Sequence, residues 1–115
     1  YNDLADLYKF GLNEKMETLV EIHDSKNLLA INELSPTIVG VNCRNLKKME
    51  LDFSRFERFF PKLPKDSLKV AESGFKSIKK IKIVEQLGYD AILMGTSLMK
   101  SKNPGKKLER IIKEL

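Results

Sequence analysis

The chain has 115 residues, 42% hydrophobic and 32% charged, with 21 Lys and Arg against 16 Asp and Glu for a net charge of +5. That balance describes one soluble globular domain or a piece of a larger one, and no apolar run approaches the ~18 residues that a membrane span requires. A single cysteine, Cys43, excludes an internal disulfide framework and favours a reducing, cytoplasmic compartment. In chain order, residues 2–13 carry Leu4, Leu7 and Tyr8 and stop at Gly11, which predicts a short helix. Residues 18–22 (Thr-Leu-Val-Glu-Ile) read as a buried strand closed by His23 and Asp24. Asp24 stands where an N-cap belongs, ahead of a helix with Leu28, Leu29 and Ile31. Residues 37–41 form a second strand that ends at Asn42-Cys43-Arg44. A loop through Glu50 and Asp52 then leads to a helix with Phe53, Phe56 and Phe60, broken by Pro61 and Pro64. Residues 67–71 are a third strand, followed by a helix over 78–87 that Gly88 caps. Residues 91–94 are the fourth strand; a short turn and a last helix with Leu108, Ile111, Ile112 and Leu115 follow.

Strands alternating with helices every 20–30 residues or so imply parallel strands with right-handed crossovers. The strands are uniformly apolar, so both sheet faces are expected to be covered. No linker divides residues 1–115, which read as one α/β unit. Every strand delivers polar or small residues at its carboxyl end: Glu21, then Asn42 with Arg44, then Glu72 with Ser73, then Gly95 with Thr96. Parallel strands place them all on one rim, where α/β proteins bind ligands. Glu21 and Glu72 interrupt apolar runs, and an unpaired buried carboxylate is costly. Taken singly, each could be a structural partner of an Arg or Lys; repetition on four strands favours a ligand site. The Glu72-Ser73-Gly74 and Gly95-Thr96-Ser97 ends, each followed by a helical pattern, suit an anion cradle such as the phosphate site after strands 7 and 8 of (β/α)8 barrels.

The positive charge does not read as a nucleic-acid surface. Lysines alternate with acids along helical faces, and Lys76, Lys79, Lys80 and Lys82 form the solvated face of the helix that buries Ile78, Ile81, Val84 and Leu87. With one His and one Cys, an imidazole–thiolate metal site is disfavoured. His23 reads as a hydrogen-bonding partner at the rim rather than a catalyst, and Cys43 as a packing residue with no evident base beside it. A chain that opens on Tyr1 reads as trimmed or excised, and its opening residues do not have the pattern of a leader.

Four stretches together resemble the indole-3-glycerol phosphate synthase family: Leu19-Val20-Glu21-Ile22-His23-Asp24, Gly40-Val41-Asn42-Cys43-Arg44-Asn45-Leu46, Ala71-Glu72-Ser73-Gly74 and Met94-Gly95-Thr96-Ser97-Leu98-Met99. Their order and spacing are similar to the C-terminal half of that TIM (β/α)8 barrel, over nearly the whole chain. The resemblance implies closure of the indole ring of 1-(2-carboxyphenylamino)-1-deoxyribulose 5-phosphate with loss of carbon dioxide and water, a lyase step of tryptophan biosynthesis. It implies no metal and no organic cofactor. Carried over residue by residue, Glu21 is the acid–base carboxylate, Asn42 bonds the substrate, and Arg44 orients its carboxylate. Glu72 and Ser73 line the pocket, and the N–H groups of Gly74, Gly95 and Thr96 hold the phosphate. His23, Cys43 and Thr96 depart modestly from the family pattern. The resemblance also implies that the family's catalytic lysines, which belong to its first and third strands, precede Tyr1 in the parent. The expectation is therefore a half-barrel that is inactive alone and either pairs with a complementary N-terminal half or self-associates into a dimer, without nucleic acid or membrane partners. A flavodoxin-like phosphate-binding or self-associating module, and a different phosphate-binding barrel, are the alternatives.

Overall fold

The computed structural model describes residues 2–115. Helix α1 (Asn2–Asn13) precedes strand β1 (Leu19–Ile22), a 3-10 turn (Ser25–Asn27) and α2 (Leu28–Leu34). Strand β2 (Ile38–Asn42) runs into a small ribbon, β3 (Arg44–Asn45) and β4 (Glu50–Leu51), then α3 (Ser54–Phe59) and a 3-10 turn (Phe60–Lys62). Strand β5 (Leu68–Glu72), α4 (Ile78–Leu87), β6 (Ala91–Leu93), α5 (Thr96–Met99) and α6 (Pro104–Glu114) complete the order. β1, β2, β5 and β6 lie side by side in sequence order, every neighbouring pair parallel. All four carboxyl ends therefore share one rim, as the strand–helix alternation requires.

Local chemistry sets the element ends. Asp24 is extended and its carboxylate accepts from the Lys26 N–H at 3.2 Å, so it caps the 3-10 turn that leads into α2, whereas the sequence pattern places this cap on the helix itself. Gly88 ends α4 at φ +109°, where its bare Cα rests on the Phe60 ring; an added Cβ would stand 2.5 Å from Cζ. Gly11 does not stop α1. The helix continues to Asn13, and Gly11 is buried because Thr18 Oγ1 lies 2.7 Å from where its Cβ would be. The reversal falls instead at Lys15, with φ +58°. The segment expected to be a plain loop through Glu50 and Asp52 holds the antiparallel ribbon, with Arg44 opposite Leu51 and Asn45 opposite Glu50.

The core lies on one side of the sheet. Val20, Ile22, Val39, Val41 and Ala71 point into a cluster with Ile31, Phe56, Ile81, Val84 and Ile111. Phe56 stacks on Phe75 at 5.7 Å and meets Phe53 and Tyr89 edge-on. The expectation of cover on both faces is overturned: on the opposite face Leu19, Leu68 and Leu93 are 39%, 53% and 53% exposed. An apolar strand records a demand for cover on two faces, and the helices of this chain meet it on one. The Lys76, Lys79, Lys80 and Lys82 side chains are exposed as expected, while Ile81 and Val84 are buried.

Candidate functional site

The uncovered face becomes polar toward the rim. Strand pairing sets Glu21 beside Gly40, and Asn42 between β1 and Glu72 of β5. The Asn42 Nδ2 donates to Glu21 Oε1 at 3.0 Å, and its Oδ1 accepts from the Arg44 N–H at 2.9 Å. Both ends of the amide are occupied, so its orientation is held. The His23 Nε2 stands 3.6 Å from the same Glu21 oxygen, with a half-exposed ring.

Glu72 is only 3% exposed, and its Oε2 has no hydrogen-bond partner. Burial, and secondly the charge of Glu21, push its carboxyl up to about 7. A carboxyl group near neutrality can give or take a proton at working pH, which is what acid–base chemistry asks of it.

The next turn of chain forms a second, adjoining part of the site. Ser73 and Gly74 both adopt positive φ, +73° and +80°. For Ser73 that conformation is disfavoured, and neighbours hold it. The Cys43 Sγ donates to the Ser73 carbonyl at 3.2 Å, and the Cys43 N–H donates to the Glu72 carbonyl at 3.0 Å. Glycine is required at 74 by its φ and by the thiol, since a Cβ there would meet Sγ at 2.7 Å. Cys43 is fully buried, and burial pushes its thiol up, which suits packing rather than nucleophilic attack. A cavity of about 850 Å³ opens beside this turn, with Arg44, Ser73, Gly74, Gly95, Thr96 and Lys107 on its wall. Gly95 has open space where a side chain would be, so the backbone there is approachable. Lys107 donates to the Ser97 carbonyl and hydroxyl at 3.0 and 2.8 Å, which ties α6 to this corner. Among the described residues, no group of three or more His, Cys, Asp or Glu side chains is placed to hold a metal ion.

The eight residues singled out from the sequence thus fall into two adjoining sets: Glu21, Asn42 and Glu72 on the sheet face, and Arg44, Ser73, Gly74, Gly95 and Thr96 around the cavity. Sequence reasoning missed Arg55. It is buried, donates from Nε to the Asn42 carbonyl at 2.9 Å and from Nη2 to the His23 carbonyl at 2.6 Å, and stacks over Phe59 at 5.0 Å. One guanidinium therefore fastens the ends of β1 and β2 to each other. The available signal was an arginine lodged between Phe53 and Phe56, beside the apolar stripe of the helix.

A family model for indole-3-glycerol phosphate synthase matches residues 1–111. The chain belongs to the indole-3-glycerol phosphate synthase family. Its four parallel strands with their helices are part of that family's (β/α)8 barrel. The synthase of Aliarcobacter butzleri is 38% identical over 98 residues, covering 85% of this chain and 37% of that protein. The synthase of Nautilia profundicola is 39% identical over 100 residues, covering 87% and 39%. For the Sulfurisphaera tokodaii synthase the identity is 36% over 106 residues, covering 92% and 43%. The chain thus spans about two fifths of the length of these curated relatives. No helix among the described residues is long and apolar enough to cross a membrane.

Proposed function

We propose that residues 1–115 are the C-terminal half of an indole-3-glycerol phosphate synthase barrel, a single half-barrel unit that works in the cytoplasm in tryptophan biosynthesis. In this reading Glu21 accepts protons in the later steps of ring closure, with Asn42 holding it and the substrate in register. Glu72, poised near neutrality, exchanges a proton with the reacting centre, while Arg44 and Ser73 bind the substrate's carboxylate end. The N–H groups of Gly74, Gly95 and Thr96 hold the phosphate, where short turns leave backbone donors unpaired. The observation that carries this reading is the convergence of the carboxylate–amide–carboxylate row and the small-residue turns on one rim.

None of the four strands ends on a lysine, so the chain alone lacks the ammonium groups that the family uses as acids. We expect negligible ring closure by the purified chain. Loss of a positioned acid costs on the order of 10²–10⁴-fold before the missing wall of the pocket is counted. Addition of a segment carrying the first four strands of a relative should restore turnover, and near full-length rates from the chain alone would refute the assignment of labour. Inorganic phosphate titrated into the chain should shift the Gly74, Gly95 and Thr96 amides ahead of the rest. If those three stay still, the cradle is not formed. The exposed Leu19, Leu68 and Leu93 and the unpaired edges of β1 and β6 favour association, with the complementary half in the parent protein and with a second copy in isolation. Sedimentation of the chain should therefore show a dimer, and a monomer at high concentration would contradict it.

A further inference from the structure

We propose that Gly40 is a positioning residue: its missing side chain is the seat into which the Glu72 carboxyl group folds, beside Glu21. This deepens the reading above and rests on it only for the catalytic use of Glu72.

The sheet register supplies the first observation. Glu21, Gly40 and Val70 are neighbours in one row across β1, β2 and β5, and Asn42, Glu72 and Leu93 in the next row toward the rim. Glu72 does not keep to its own row. A Cβ built on Gly40 would overlap Glu72 Oε2 and stand 2.9 Å from the carboxyl carbon, with Leu19 Cδ1 next at 3.2 Å. The carboxyl group has therefore dropped back one row, onto the bare Cα of Gly40 and toward Glu21. The second observation is conformational. Gly40 is not among the positive-φ residues, which include only two glycines, Gly74 and Gly88. The main chain at position 40 thus makes no demand for glycine, and a glycine inside a strand weakens it. Space for Glu72 is the remaining requirement.

The seat has a chemical consequence. Glu21 on β1 is the charged group acting on Glu72, while Asn42 of β2 and Leu93 of β6 beside it carry no charge. A carboxyl group held low against the sheet and near a second carboxylate keeps its proton to higher pH than one that reaches toward water. Any side chain at 40 would lift it toward the open face.

Gly40→Ala tests this in the 115-residue chain, with the Glu72 carboxyl carbon followed by NMR from about pH 4 to about pH 9. The Glu72 midpoint, about 7 in the parent, should fall by about one unit or more while the amide spectrum stays dispersed. An unmoved midpoint overturns the proposal and leaves the synthase reading untouched, because the measurement needs no turnover. If Gly40→Ala prevents folding, Glu72→Ala decides. Removal of the carboxyl group should make room, so that the double variant unfolds like Glu72→Ala alone. An equal loss in both backgrounds would assign the glycine to Leu19 or to the backbone and overturn the proposal.

Discussion

The two faces of the parallel sheet use alternate residues of the same strands and obey opposite rules. On the covered face the central positions are satisfied by shape: Val20, Ile22, Val39, Val41 and Ala71 are all under 5% exposed, and Phe56 fills the centre of an aromatic cluster. On the open face, leucines are half exposed, a glycine interrupts a strand, and a carboxyl oxygen is buried without a partner. One face is optimised for stability. The other keeps features that cost stability, and the proposed site accounts for them.

Substitution should expose the contrast most strongly at Phe56. With the chain dilute enough to be monomeric, Phe56→Ala should cost about 3–5 kcal/mol in chemical denaturation, whereas Leu93→Ala on the open face should stay within about 1 kcal/mol. Comparable losses at the two positions would mean that the open face is covered in solution. Arg55 belongs to both faces, because it joins the covered helix α3 to the rim. Arg55→Met leaves the Asn42 and His23 carbonyls without their donors and should cost about 2–4 kcal/mol. It should also broaden the amide resonances of residues 42–45, and sharp, unshifted resonances there would remove the clamp from the account.

Glu72 sharpens the comparison through pH. Its carboxyl group is raised from 4.5 to about 7 in the folded chain, so the native state binds the proton more tightly than the unfolded state. Its stabilising contribution is complete below about pH 4.5 and is lost as pH rises through about 7, by roughly 3 kcal/mol. Glu72→Gln should flatten that slope, and an unchanged slope would place its origin elsewhere. The smallest effect is expected at Cys43. Cys43→Ala removes one weak donor to the Ser73 carbonyl and should cost about 1 kcal/mol. It should also weaken inorganic phosphate binding a few-fold, which calorimetry would detect.

Much of the candidate site is legible in the sequence alone. Glu21 and Glu72 stood out because a carboxylate within an apolar run is expensive, and Asp24 and Gly88 because caps are local in sequence. Gly11 misled because a glycine near a helix end reads as a terminator, whereas here it makes room for Thr18 seven residues on. The β3–β4 ribbon was missed because two-residue strands carry no periodicity. Arg55 was overlooked because its acceptors, Asn42 and His23, are 13 and 32 residues away.

The chain's own residues determined the strand–helix order, the common direction of the strands and hence a single shared rim, since periodicity, caps and crossover handedness act over short stretches. Tertiary structure alone decided which face stays open, where Arg55 ties the strands, and how Gly40 lets Glu72 lie against Glu21. Those outcomes depend on ångström-scale contacts between residues about 13 to 50 positions apart, and no local pattern encodes such distances.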